Sequence, residues 1–255
     1  MGSTTPLKTV LRAFEVVEIL EERQGARPSE VASALDVTRA TAHDYLVSLA
    51  EVGYVTREDG YYDIGYRFLE TGNRKKYRNW LFHASSHTLH ELYEETGERV
   101  VLGIEEEGDW VLIHIESDRE NVGLSPYSGR RTPLHTHAAG KVILAELPDD
   151  RRAKILEDGA LAASTERSIT DPAELRRELD QIVEDGYAVD WEEHDSDTGY
   201  AACPIVIDGM VRGSVAVVGP ASRFRREEYR EYLVGELRAA AETIRIERTH
   251  LLEHD

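Results

Sequence analysis

His135, Thr136 and His137 stand side by side in this chain, and Asp190, Glu193 and Cys203 follow further along. These residue types could do chemistry. A Cys/His pair can act as nucleophile and base, and two histidines with a carboxylate can hold a metal. None of the spacings is that of a nucleophile elbow or a zinc-protease helix. An enzyme in the C-terminal half is therefore the alternative reading, and no catalytic residue, metal or cofactor is expected. His83, His87 and His90 have chelating spacing, but no Cys or nearby carboxylate completes a set locally. They read as solvent-facing or dimer-facing.

A second group points to nucleic acid. Thr38, Arg39, Ala40, Thr41, His43 and Asp44 fall on one side of a helix whose other side carries Ala42, Tyr45, Leu46 and Leu49. A recognition helix needs one buried side and free first turns that can reach base edges and phosphates. The elements that would position it are adjacent. Ser29 reads as the cap of a preceding helix with Val31, Ala32 and Leu35 on its core side, and Asp36-Val37 makes the turn. Thr38 is the expected cap of the second helix. Residues 54–57 and 61–64 flank Asp59-Gly60, a strong hairpin signal. That hairpin would be a wing, with Arg57 near its tip. A small helical packet without DNA affinity is the plainer reading of the same pattern.

The charge distribution bears on this choice. The 255 residues carry a formal net charge of −19, which is unusual for a DNA binder. Residues 1–80 hold 11 Lys+Arg against 12 Asp+Glu, so almost all of the excess acid lies in the remainder. Arginines number 25 and lysines 5. An acidic, lysine-poor surface is expected of a cytoplasm with molar salt, where the Debye length is about 3 Å and repulsion from DNA is screened. An ordinary acidic protein has the same totals. One cysteine allows no intrachain disulfide. No apolar run reaches membrane-spanning length and no signal peptide is evident, so a cytoplasmic protein is expected.

The rest of the chain reads as mixed helix and strand. Leu7, Val10, Phe14, Val17 and Leu20 predict a first helix that packs on the next two and presents a dimer surface. Residues 66–96 predict a long or broken helix ending at Gly97. Hairpins are expected around Glu107-Gly108 and Asp208-Gly209. Helices are expected over 138–147, from Asp171-Pro172 to Gly186, and from about Arg226 onward. The fold class is α+β. An N-terminal helix-rich winged helix-turn-helix spans 1–65, a connector helix spans 66–97, and a C-terminal α/β domain built on an antiparallel sheet spans 98–255.

The chain resembles the IclR family of transcription regulators over almost its whole length. Four segments in order carry the resemblance: 38–49 with Gly53-Tyr54-Val55; Leu134 to Ala145, similar to Leu-His-x-x-Ala-x-Gly-Lys-Ala-Leu-Leu-Ala; Gly186 to Asp190 with Glu192-Glu193; and Ser214 to Pro220 with Arg223. The resemblance implies a GAF-like effector-binding C-terminal domain and dimers pairing into tetramers. It also implies a pseudo-palindromic operator. It places the pocket between the sheet and the loop entering the 138 helix, lined by His135, Thr136, His137, Ala138, Asp190, Cys203 and Ser214. An anionic ligand, an organic acid or sugar-derived metabolite, would accept from backbone N–H groups at that helix start. Three positions depart from the family pattern. Asp44 replaces the usual Arg, and either accepts from a cytosine amino group or avoids the DNA. His137 stands where Thr is frequent, and Cys203 where Ala is common. The stretch from Glu193 to Pro204 does not align cleanly.

Overall fold

The computed structural model describes residues 6–118, 127–158 and 161–252. The chain forms two compact units, Met1–Lys75 and Lys76–Asp255.

The first unit has helices α1 (Lys8–Arg23), α2 (Pro28–Leu35) and α3 (Arg39–Glu51), followed by the hairpin of β1 (Val55–Glu58) and β2 (Tyr61–Ile64). Helix α4 (Arg67–Arg78) begins here. Val16, Leu20, Val31, Leu35, Ala42, Leu46, Val55 and Tyr62 make one core. Ser29 is not the cap of α2. Pro28 takes the first helical position, and the Glu30 carboxylate accepts from Arg27 N–H at 2.7 Å. Proline lacks the N–H that would be orphaned there. In α1, Val16 and Leu20 face the core while Leu7, Val10, Leu11 and Phe14 are exposed.

The second unit continues with α5 (Trp80–Thr96), β3 (Arg99–Glu106), β4 (Asp109–Glu116), β5 (Arg131–Pro133), α6 (Ala138–Glu146) and α7 (Asp149–Asp158). It ends with α8 (Pro172–Asp185), β6 (Ala188–Trp191), β7 (Thr198–Ile207), β8 (Met210–Pro220), α9 (Ala221–Phe224) and α10 (Glu227–Leu252). The expected connector, 66–97, is two helices. Asn79 separates them, and its side chain accepts from Leu81 N–H to start α5.

Strands β5-β4-β3-β8-β7-β6 form one antiparallel sheet in that order. Alternation sends side chains to two cores. Val101, Leu112, Ala202 and Ala216 pack with α6 and α8; Val100, Leu102, Ala201 and Val217 pack with α5 and α10. Strand β7 starts earlier than the Ile205-Val206-Ile207 run, and contains Pro204. Glu192 N–H donates to Thr198 O, so even-numbered residues of β7 bond toward β6. The missing N–H of Pro204 therefore points beyond Ala188, where β6 has not begun.

Candidate functional site

Two surfaces gather the residues singled out by the sequence. On the first unit, Thr38 caps α3: its Oγ1 accepts from Thr41 N–H at 3.1 Å and lies 2.9 Å from Thr41 Oγ1. Ala42 and Leu46 are fully buried, while Thr38, Arg39, Ala40, Thr41, His43 and Asp44 are all exposed. The first turns of α3 thus present an unobstructed polar face. In the wing, Asp59 and Gly60 both have positive φ, 48° and 76°, as a two-residue hairpin turn of this twist demands. Arg57 pairs across the strands with Tyr62, and its guanidinium lies 5.5 Å from the centre of that ring. It is exposed and carried on a rigid strand.

The second site lies on the α6 face of the sheet. A short 3-10 turn, Leu134–Thr136, leads into α6. Gly140 has to be glycine, because a Cβ there would sit 2.3 Å from Leu134 O. His137 is the N-cap: its Nδ1 accepts from Gly140 N–H at 3.1 Å. The other ring nitrogen therefore carries the proton and donates to Thr132 Oγ1 at 2.8 Å. Complete burial, with His194 and Lys141 nearby, holds this imidazole neutral, its pKa well below the usual histidine value. The ring stacks on Tyr200 at 5.3 Å and meets Trp110 edge-on at 4.9 Å. Trp110 lies across Gly103, where any Cβ would meet the indole at 2.0 Å.

Asp190 reaches from β6 to the start of α6, and its Oδ2 accepts from Ala138 N–H at 2.5 Å. Burial, and then Glu193, push its pKa up to about 8. Below it, fully buried Lys141 is held at 2.6 Å by both Glu178 and Glu193. The two carboxylates outweigh the desolvation of Lys141 and keep its pKa above the usual value.

A cleft of about 20 Å³ opens beside His137, lined by Arg99, Val101, Trp110, Leu112, Arg130, Thr132, His137, His194, Tyr200 and Val218. Of the expected ligand residues only His137 lines it. The His135 ring bonds Ala162 O at 3.1 Å, and Thr136 Oγ1 donates to Pro133 O. Ala138 N–H is served by Asp190 Oδ2, while Asp190 Oδ1 is buried without a hydrogen-bond partner among the described residues. Ser214 is on the correct face but accepts from Trp110 Nε1 at 3.0 Å, behind the indole. Cys203 is a correction to the expected lining. It packs with Leu89, Val215 and Leu237 on the opposite face, because odd and even residues of β7 alternate. Burial pushes its thiol up to about 12, so it behaves as a small apolar side chain. The sheet separates it from His135 and His137, which removes the Cys/His nucleophile pair. The expected anion site at the α6 start is also occupied from within: Ala138 N–H serves Asp190, and Gly140 N–H serves His137.

Arg99, Arg130, Trp110, His194 and Tyr200 were not legible as site residues. Trp110 and Tyr200 carried a signal as large aromatics on strand segments; the arginines carried none. A larger open groove of about 700 Å³ follows the free edge of β6 between α8 and α10. It contains none of the expected residues. The three histidines of α5 are dispersed: His83 bonds Tyr77 O, His87 pairs with Glu91, and His90 lies 3.7 Å from Glu116. Among the described residues no group of three His, Cys, Asp or Glu side chains could hold a metal. No helix among them is long and apolar enough to cross a membrane.

A winged helix-turn-helix joined to a sheet domain with a buried polar cleft defines a ligand-responsive DNA-binding regulator. Comparison with known proteins gives the family. Residues 9–59 match the IclR helix-turn-helix domain, and residues 77–246 match the domain described as bacterial transcriptional regulator IclR C-terminal. The chain is 30% identical to the probable HTH-type transcriptional regulator ArcR of Halobacterium salinarum, over 89% of each chain. It is 31% identical to the regulator KdgR of Escherichia coli, covering 93% of this chain and 91% of that one. The Thermotoga maritima IclR structure superposes with a TM-score of 0.78 at 30% identity, over 94% of this chain and 98% of that one. An IclR homolog from Microbacterium hydrocarbonoxydans complexed with 4-hydroxybenzoate has the same fold, with a TM-score of 0.78 at 24% identity and coverage of 94% and 97%. The protein belongs to the IclR family: it is a DNA-binding transcriptional regulator with a C-terminal effector-binding domain, not an enzyme.

Proposed function

We propose that this regulator reads a pseudo-palindromic operator with α3 and the wing of two protomers, and that a small metabolite in the cleft beside His137 changes that affinity. The exposed, Thr38-capped face of α3 carries the reading. Arg39, Thr41 and His43 reach for base edges and phosphates, and Arg57 reaches for a phosphate on the flanking backbone. Asp44 lies on the same exposed face. Two-fold symmetry in the protein matches two half-sites in the DNA. The exposed row Leu7, Val10, Leu11 and Phe14 on α1 fits a protomer contact. The bound 4-hydroxybenzoate of the Microbacterium homolog supports a small-molecule effector here. The composition and the Halobacterium relative support a cytoplasm of high salt.

The test is fluorescence anisotropy of the full chain on its own upstream DNA and on a scrambled duplex, in molar KCl. Preference for the native duplex, weakened by Arg39→Ala and Thr41→Ala, is expected. Equal binding to scrambled DNA and to every tile of the genome would sink the reading. Effector action then requires that the metabolite shift operator affinity and that operator shift metabolite affinity by the same factor.

A further inference from the structure

Strand β6 ends the sheet, and its outer edge is the floor of the groove of about 700 Å³ between α8 and α10. Its register shows what that edge offers. Ala188 and Asp190 pair with Ala202 and Tyr200, and Glu192 N–H donates to Thr198 O. Even-numbered residues of β6 therefore bond to β7, and the N–H and C=O groups of Val189 and Trp191 point outward. None of these four groups has a hydrogen-bond partner among the described residues. An unpaired row of this kind is a template for an added strand.

The walls decide which strand fits. Tyr187 and Val189 pack on the α10 side of the sheet, and Ile182 of α8 stands on the other. The rim is acidic: Glu178, Asp185, Glu227 and Glu231 line the groove against two cations, Arg230 and Arg238. Both cations are turned to rings. Arg230 lies 5.6 Å from the centre of Trp191, and Arg238 lies 5.1 Å from that of Tyr187. Their hydrogen bonds go to the backbone carbonyls of Arg225 and Asp185. Glu227 and Glu231, one turn apart on α10, are exposed and form no ion pair among the described residues. Such a rim repels nucleic acid. It also opposes a second copy of β6, because two-fold antiparallel pairing would set α10 beside α10 and acid beside acid.

We propose that this groove docks an extended basic segment of a partner protein, which adds to β6 as a seventh strand. Val189 and Trp191 supply the main-chain hydrogen bonds. Side chains of the added strand alternate between the walls. One set places lysine or arginine against Glu227 and Glu231, and the other places apolar groups against Ile182 and Ala188. Charges in direct contact keep their attraction in molar salt, where the Debye length is about 3 Å. The groove shares no residue with the cleft beside His137, so partner and effector bind side by side.

The probe is a fluorescein-labelled, blocked pentapeptide alternating lysine and valine, titrated with the full chain by anisotropy in molar KCl. Beside it stand the same peptide with glutamate for lysine, and two versions with backbone nitrogens methylated at the lysines or at the valines. The lysine peptide should bind with a Kd of about 1 mM or below. The glutamate peptide should bind at least about tenfold more weakly, and one of the two methylated peptides, but not both, should lose about tenfold. Val189→Pro deletes an outward N–H without touching the ladder to β7, and should weaken the lysine peptide by about tenfold. Glu227→Lys with Glu231→Lys should abolish its binding. Circular dichroism of each variant checks the fold. Glutamate and lysine peptides binding alike, loss in both methylated peptides or in neither, undiminished binding to folded variants, or no binding at millimolar concentration would each overturn the proposal. Sedimentation gives the last arm: if Val189→Pro lowers the oligomeric state, a second copy covers this edge and the partner segment is wrong.

Discussion

Asp190 and Ala138 are 52 positions apart, yet the Asp190 carboxyl caps the helix that Ala138 begins, at 2.5 Å. The cap is buried, and its pKa is pushed up to about 8, first by burial and then by Glu193. The native state therefore keeps a proton that the unfolded chain releases above about pH 4. This contribution to stability is fully present below the unfolded value and is lost as pH rises through about 8. Asp190→Asn keeps an acceptor for Ala138 N–H and should flatten that decline. Asp190→Ala should cost about 1–3 kcal/mol at pH 5 by stranding a buried N–H. Urea unfolding at pH 5 and pH 8 checks both, and an unchanged pH slope in the Asn variant would refute the assignment.

Lys141 has no solvent-exposed side-chain surface, and its charge is held by Glu178 and Glu193. The Glu193 contact is an ion pair without a well-directed hydrogen bond at Oε2. Removing the cation leaves two carboxylates facing each other. Lys141→Met should therefore destabilise by about 3–5 kcal/mol. Adding Glu178→Gln and Glu193→Gln should restore part of the loss, because the stranded charge is then gone. Denaturant midpoints of the single and triple variants decide the matter. No recovery in the triple variant would mean that packing, not charge, sets the cost.

His137 titrates in the opposite sense to Asp190. Burial depresses its pKa well below that of an unfolded histidine. Its contribution is present above about pH 6.5 and is lost as pH falls toward the folded value. His137→Asn keeps an N-cap acceptor for Gly140 N–H but removes the ring from between Trp110 and Tyr200. The variant should be less stable than the parent at pH 7, and the gap should narrow at pH 5. A gap that does not change with pH would show that the imidazole is not neutral in the native state.

Local chemistry explains which of these features the sequence displayed. The Thr38 cap, the Asp59-Gly60 turn and the Asp171-Pro172 start of α8 each depend on a few adjacent residues, and all three form as expected. The cleft depends on pairings between distant segments. Nothing near Arg99 or Arg130 marks them as neighbours across β3, β4 and the approach to β5. Cys203 faces away from the cleft because it is an odd-numbered residue of β7, a register that the stretch from Glu193 to Pro204 does not display in sequence. Ser29 resembles a cap, yet Arg27, two residues earlier, is the N-cap, and Pro28 and Glu30 start α2. At α6 the helix start looked free because the residue that fills it, Asp190, arrives from another strand.

The recognition helix separates stability from DNA contact residue by residue. Thr38 holds the first turn of α3 through Thr41 N–H, so Thr38→Ala should cost about 1 kcal/mol of stability and weaken operator binding indirectly. Arg39 is exposed and makes no side-chain hydrogen bond or ion pair among the described residues, so Arg39→Ala should leave the unfolding midpoint unchanged. If Arg39 serves a phosphate, its loss should reduce the slope of log affinity against log salt by about one and weaken all duplexes alike. If it reads a base, discrimination between native and scrambled duplex should instead fall by about 1–3 kcal/mol, with the slope retained. Anisotropy titrations across a KCl series distinguish the two. An unchanged slope together with unchanged discrimination would remove Arg39 from the interface.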